Sequence, residues 1–180
     1  MVSKTSFRLK RFFYSVLLAF FIIATLNNCT SEKQRSKYLR WVGDIENDPK
    51  SDELAFKLCN SEMLTKQYFH VGEGIQYDGE MFKIREVFRS KYKSVNINQS
   101  GWVRIRFIVN CRGEAGRYRM IESDQNYQSR AFDGRITDQL LTITKSLDGW
   151  KQLPDAENSH DYYQYLIFKI KDGDLLEVLP

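Results

Sequence analysis

Residues 101–123, GWVRIRFIVNCRGEAGRYRMIES, restrict the fold more than any other stretch of the chain. Val103, Ile105, Phe107 and Val109 alternate with Trp102, Arg104, Arg106 and Ile108. A period of two puts the first set on one face of a strand and the second set on the other. Asn110 to Gly113 supplies turn residues, and Gly116 to Glu122 resumes the alternation with Tyr118 and Met120 on the apolar side. A hairpin with one apolar face is not stable alone in water, so the rest of the chain must cover that face. Counting pairs outward from the turn sets Arg106 opposite Arg119, with Arg104 and Arg117 on the same face. Like charges held opposite each other are destabilising, and this face calls for acids, water or a partner.

The cover is readable on both sides of the hairpin. In YDGEMFKIREVFRSKYKS, Asp78 is placed as an N-cap, and Met81, Ile84, Val87 and Phe88 fall at helical spacing ahead of a basic end. In SRAFDGRITDQLLTITKSLDG, Phe132, Ile136, Leu140, Ile143 and Leu147 form an apolar stripe that ends at Gly149. Gly134 lies within that pattern and costs about 1 kcal/mol against Ala in a helix interior. DYYQYLIFKI is a strand, and KDGDLLEVLP adds an Asp-Gly turn and a short last strand. The order is helix, strand, strand, helix, strand, strand. This predicts an α+β fold, a small antiparallel sheet with two helices packed on one face, preceded by an extra cysteine-bearing segment. Within that segment Tyr38 to Ile45 reads as a short strand. Residues 53–71 read as a helix from Leu54, Leu58 and Met63, or as a strand from their aromatic end.

The N-terminus carries a different pattern. Lys4, Arg8, Lys10 and Arg11 precede an apolar run of 15 residues, Phe12 to Leu26. That is shorter than the roughly 20 residues of a bilayer span. It fits the h-region of a secretory signal, with a spanning anchor as the alternative. Leu26-Asn27-Asn28-Cys29 then resembles the lipobox of bacterial lipoproteins, although Asn28 stands where that family has Ala or Gly. The resemblance implies a signal peptide over residues 1–28 and lipidation of Cys29. It also implies a tether over 29–37 and a place in the bacterial cell envelope, at the outer membrane rather than the inner. The domain would then stand in the periplasm or at the cell surface. Several acyl chains at about 0.8 kcal/mol per buried methylene give a stable membrane anchor.

Removal of residues 1–28 takes away four basic groups and no acids, leaving 23 Lys and Arg against 23 Asp and Glu. The basic isoelectric point near 8.9 thus belongs to the leader. Nucleic-acid binding, which needs a basic excess on the folded domain, is excluded. Cys59 and Cys111 are an even pair in an oxidising compartment. A bridge between them would close a loop of about 50 residues, which chain entropy values at roughly 4 kcal/mol. Two buried free thiols are the alternative, and their spacing fits no zinc pattern.

No G-x-S-x-G elbow or phosphate loop is present, and His70 and His160 lack companions at ligand spacing. The reading is a non-enzyme with no metal, no cofactor and no small-molecule substrate.

From about Gly74 to Val178 the order of elements and several motifs resemble the C-terminal domain of TonB-type energy transducers. The motifs are Tyr77-Asp78-Gly79-Glu80 before the first helix, Gly101 with its run to Asn110, Gly113 and GRYRMIES. Trp150 follows the second helix, and Leu166 to Ile170 closes the last long strand. Pro154 lies four residues after Trp150, where the family has two, and the second glycine near Tyr77 is missing. The likeness divides the mature chain into an N-terminal extension, 38–73, and a TonB-like domain, 74–180. It implies a protein-interaction module that takes a partner's extended segment at a sheet edge. The implied partner is an envelope protein such as an outer-membrane TonB-dependent receptor, linked to transport. The stretch concerned is Tyr162 to Ile170, or Leu175 to Val178 if the last strand is outermost. The face with Arg104, Arg106, Arg117 and Arg119, to which Tyr163 and Tyr165 also point, is a second candidate surface, since arginine and tyrosine are enriched at interfaces. The alternative for that face is a solvated surface laced with Glu114 and Glu122. The family's long Pro-rich arm is absent, and a tether of eight residues reaches at most about 27 Å. The rival reading is a structural subunit of an envelope complex with no energy-transducing role.

Overall fold

Period-two burial is followed closely in β1 (Gly101–Val109), where Val103, Ile105 and Phe107 are fully buried and Trp102, Arg104 and Arg106 are half-buried on the opposite face. The computed structural model describes residues 43, 45–67, 74–154 and 159–180. The leader, Cys29, the tether and most of the expected strand at Tyr38 to Ile45 lie outside them. Gly43 and Ile45, the two described members of that stretch, are not in a strand.

β1 pairs antiparallel with β2 (Ala115–Asp124), and Arg106 stands opposite Arg119 as counted from the turn. The register shifts between Arg106 and Ile108, and on the opposite strand Arg117 takes a left-handed backbone, φ 54°. On its other side β1 pairs with β5 (Tyr162–Lys171), and β5 continues through a turn into β6 (Asp174–Leu179). The four-stranded order is β2-β1-β5-β6. Asp172 and Gly173 at the last turn have φ 51° and 82°, as a two-residue hairpin with primed geometry requires. Two further strands of two residues each, β3 (Leu153–Pro154) and β4 (Ser159–His160), pair with each other and were not expected.

Helix α1 (Glu80–Lys91) buries Ile84 and Phe88, and α2 (Gly134–Lys145) buries Ile136, Leu140 and Ile143. Both pack their apolar side chains with one face of the sheet in a single core that includes Phe107, Tyr162, Leu166 and Phe168. Phe88 meets Phe168 with ring centroids 4.8 Å apart, and Trp150 stands edge-on to both Tyr77 and Phe107. The fold is α+β, with an antiparallel sheet and two helices.

Two details of the helices differ from expectation. Asp78 is not the N-cap of α1. Gly79 occupies that place with φ 75°, and the Asp78 amide donates instead to the Gly149 carbonyl at 2.8 Å. A left-handed cap suits glycine and leaves the preceding acid out of reach of the first turn. In α2 the cap is Asp133, whose carboxylate accepts from the Arg135 amide at 2.9 Å. Gly134 is therefore the first helical residue, outside the interior where glycine is costly.

Residues 53–67 do not form the helix that Leu54, Leu58 and Met63 suggest, apart from one 3-10 turn, Glu62–Leu64, and residues 68–71, the aromatic end expected as a strand, lie outside the described residues. The segment runs over the sheet's other face, where Ile45, Ile108 and Tyr163 make a second small cluster with Phe56 and Leu58 against it.

Candidate functional site

The arginine face is met by the chain's own front segment. Arg119 forms a two-armed ion pair with Asp52, at 2.6 and 2.7 Å, and also donates to the Glu46 carbonyl at 2.7 Å. Fork-on-fork bonding of this kind is among the strongest charge-assisted contacts. It holds the Asp52 carboxyl below its usual range and the Arg119 guanidinium above its own. Arg117 donates to Glu62 at 2.6 Å and to the Ile45 carbonyl at 3.2 Å. Arg106 donates to the Gly43 carbonyl at 2.6 Å, with its guanidinium 5.7 Å from the Tyr163 ring centroid. Arg104 sits half-buried between Ile121 and Ile167, and burial pulls its guanidinium down.

Tyr163, expected on an open interaction face, is on the anticipated side of β5 but only 3 % exposed, and its hydroxyl accepts from the Ile45 amide. Tyr165 lies half-buried across from Arg106. The structure brings Arg106, Arg117, Arg119 and Tyr163 together on one face. Their partners are Gly43, Ile45, Glu46, Asp52 and Glu62, where Glu114 and Glu122 were the acids expected to lace the face. Glu114 instead bonds Arg112 and Asn110, and Glu122 accepts from the Phe132 amide.

Cys59 and Cys111 are bridged, tying the front segment to the hairpin turn. Beside the bridge lies a residue that sequence reasoning missed. Asp161 is fully buried, and its carboxylate accepts from the backbone amides of Cys59, Asn60 and Cys111 at 2.8–3.1 Å. Each of these donors would otherwise be left without a partner where three chain segments converge. Nothing local marks Asp161, because its bonds reach residues 50 to 102 positions away. Among the described residues the one grouping of Cys, His, Asp or Glu close enough for a metal is Cys59, Cys111 and Asp161. Its sulfurs are bonded to each other, so it is a structural joint.

The two sheet edges differ. At β2, Phe56 packs directly over Gly116, Asp52 holds Arg119, and Glu53 pairs with Lys145 at 3.2 Å. At β6, a groove of about 510 Å³ opens between the strand and α1. Leu175 and Leu176 contribute apolar surface above the buried Phe88 and Val178, Arg85 and Arg89 stand on the helix side, and Asp174 and Glu177 on the strand side. Leu175 is half-buried and Val178 buried, while Leu176 is exposed. The pairing with β5 is irregular at this point, with Lys169 against Glu177 and Ile170 against Leu175, so Leu176 is the extra residue. Arg85 Nε donates to the Val178 carbonyl at 3.0 Å. Tyr92, whose hydroxyl is pushed up to about 12 by burial, donates to the Gly173 carbonyl at 2.9 Å. The outermost strand is therefore β6, and β5 is internal over the residues it shares with β6.

No protein-family model, no curated protein and no solved structure matches this chain. No helix among the described residues is long and apolar enough to cross a membrane.

Proposed function

We propose that the chain is a lipid-anchored protein of the bacterial envelope, held through Cys29, whose folded part is a protein-interaction module. Its ligand is an extended segment of an envelope partner that lies along β6 in the groove against α1. The observation that carries this reading is the groove of about 510 Å³ beside the edge strand β6, whereas at the end of β2 near the turn residues 52–56 pack against Gly116 and Arg119. An edge strand offers backbone donors and acceptors to an incoming strand, and pockets beside it select alternate side chains. Mixed charges along the groove favour a polypeptide over a strongly charged small molecule. The bulge at Leu176 and the Arg85 bond to Val178 guard the edge against chance pairing. A true partner must displace Arg85. The TonB resemblance supplies the partner class, an outer-membrane TonB-dependent receptor.

The test is photo-crosslinking in the native cell from Leu175 and Leu176, with mass spectrometry of the adducts. A discrete adduct with an outer-membrane receptor supports the proposal. Silence at both positions together with adducts from Met63 overturns it.

That second outcome would favour a structural subunit, a reading with its own support. Leu54, Met63 and Leu64 in the front segment are 81 %, 95 % and 60 % exposed. Apolar side chains this open suit a surface covered by a constant neighbour.

A further inference from the structure

The end of the sheet far from the disulfide carries side chains that the partner groove does not use. Gly101 pairs with Asp124 on one side and Ile170 on the other, which draws the residues before β1, the turn after β2 and the β5–β6 turn together. Between them lies an open cleft of about 400 Å³, lined among others by Asn98, Asp124, Asn126, Arg130 and Asp172. That volume is within the usual range of small-ligand sites.

The fold uses one oxygen of each carboxylate there. Asp124 Oδ1 accepts from the Asn126 and Gln128 amides at 2.8 and 2.9 Å, and Asp172 Oδ1 accepts from the Ser100 hydroxyl at 3.2 Å. Their second oxygens, the side-chain amides of Asn98 and Asn126, and the Arg130 guanidinium make no hydrogen bond to the described residues. From the same turn Tyr127 lays its ring on Trp102, with centroids 6.0 Å apart and planes 11° apart. Lys169 places its ammonium 5.4 Å from the Trp102 centroid. Tyr127 remains 56 % exposed, on a left-handed backbone with φ 61°.

These two sets of groups complement a sugar. A pyranose has an apolar patch of C–H groups that packs on an aromatic ring, and adjacent hydroxyls that need planar, two-pronged partners. Carboxylates, amides and guanidinium are such partners, the first accepting, the last donating and the amides doing both. The aromatic pair supplies a rigid apolar surface with a polar tip. Two acids beside one arginine in the cleft leave no positive excess for an anion to follow, so an uncharged ligand fits better than an anionic one. We propose that this end of the sheet binds a neutral oligosaccharide, with Tyr127, backed by Trp102, as its stacking surface. The site is separate from the β6 groove and does not rest on it.

The experiment uses the full chain in a zwitterionic detergent without a sugar headgroup, titrated with maltohexaose and with chitotetraose. Nuclear magnetic resonance would follow the Trp102 indole and the side-chain amides of Asn98 and Asn126. Saturable shifts at these groups are expected with at least one probe, weakened about tenfold by Tyr127→Ala and by Asn98→Ala. Leu176→Asp, in the partner groove, should leave them unchanged. No saturable shift up to about 10 mM of either sugar, or equal shifts in both variants, would overturn the assignment.

Discussion

Ile84 and Phe88 of α1 and Ile136 and Leu140 of α2 cover one face of the sheet with fully buried apolar side chains. Residues 45–62 cover part of the other face largely through bonds to guanidinium groups, a buried carboxylate and a disulfide. The first cover depends on area and shape, which are non-directional and spread over many contacts. The second depends on a few directional bonds, each of which fails as a unit when one partner is removed. One sheet thus carries a cover that tolerates small adjustments and a cover that is held at discrete points.

Four experiments break or sharpen this contrast. The largest effect is expected from Phe88→Ala, a fully buried ring against Phe168, which should cost about 3–5 kcal/mol in chemical denaturation. Both covers should be lost together, because the sheet itself is undermined. Second is the double change Cys59→Ser and Cys111→Ser, worth about 4 kcal/mol on the chain-entropy estimate. Hydrogen exchange should then accelerate in residues 45–62 while β1 and β5 amides keep their protection. Equal loss in β1 would show that the two covers act as one cooperative unit.

Third, Asp161→Asn keeps the shape but exchanges an acceptor for a donor facing the amides of Cys59, Asn60 and Cys111. A loss of about 1–3 kcal/mol is expected in urea unfolding. Smallest is Asp52→Asn. Its carboxyl is held below the ordinary value of 3.8, chiefly by the hydrogen bond from Arg119. The pair therefore stabilises the fold above about pH 4, and that contribution is lost as pH falls through the lowered native value. Partial exposure of Arg119 limits it to about 1 kcal/mol at neutral pH. Asp52→Asn should flatten the acid limb of a stability–pH curve, and an unchanged limb would remove Asp52 from the second cover.

The same contrast explains what could be read in advance. The alternation at Val103 to Val109, the stripe from Ile136 to Leu147 and the Asp172-Gly173 turn are local signals with a fixed period or a fixed backbone demand. They yielded the helices, the sheet and the Arg106–Arg119 register. The route of residues 45–67 has no period, because the contacts that hold it to the sheet reach residues 52 to 118 positions away. Asp161 is silent in the sequence for that reason, as is the pairing of Asp52 with Arg119. Tyr163 was assigned to the right side of its strand. Its burial followed from a cover that leaves no periodic trace. Asp78 was misread because a glycine one residue later takes the left-handed cap. The candidate groove was foreseen only in part. Leu175 and Val178 were named as the edge, while Arg85, Arg89 and the bulge at Leu176 emerge only when α1 is laid beside β6.

The Cys59–Cys111 bridge has one more consequence, concerning damage. A single peptide bond cut anywhere between the two cysteines leaves the pieces joined through sulfur. A protease acting on that 52-residue span would produce a nicked molecule of unchanged mobility on a non-reducing gel, separating into two bands only after thiol treatment. For a cut before Gly101, a lipid at Cys29 would be on the N-terminal piece and the whole sheet on the C-terminal one. If Cys29 carries the proposed lipid, the bridge is what would keep the nicked protein at the membrane.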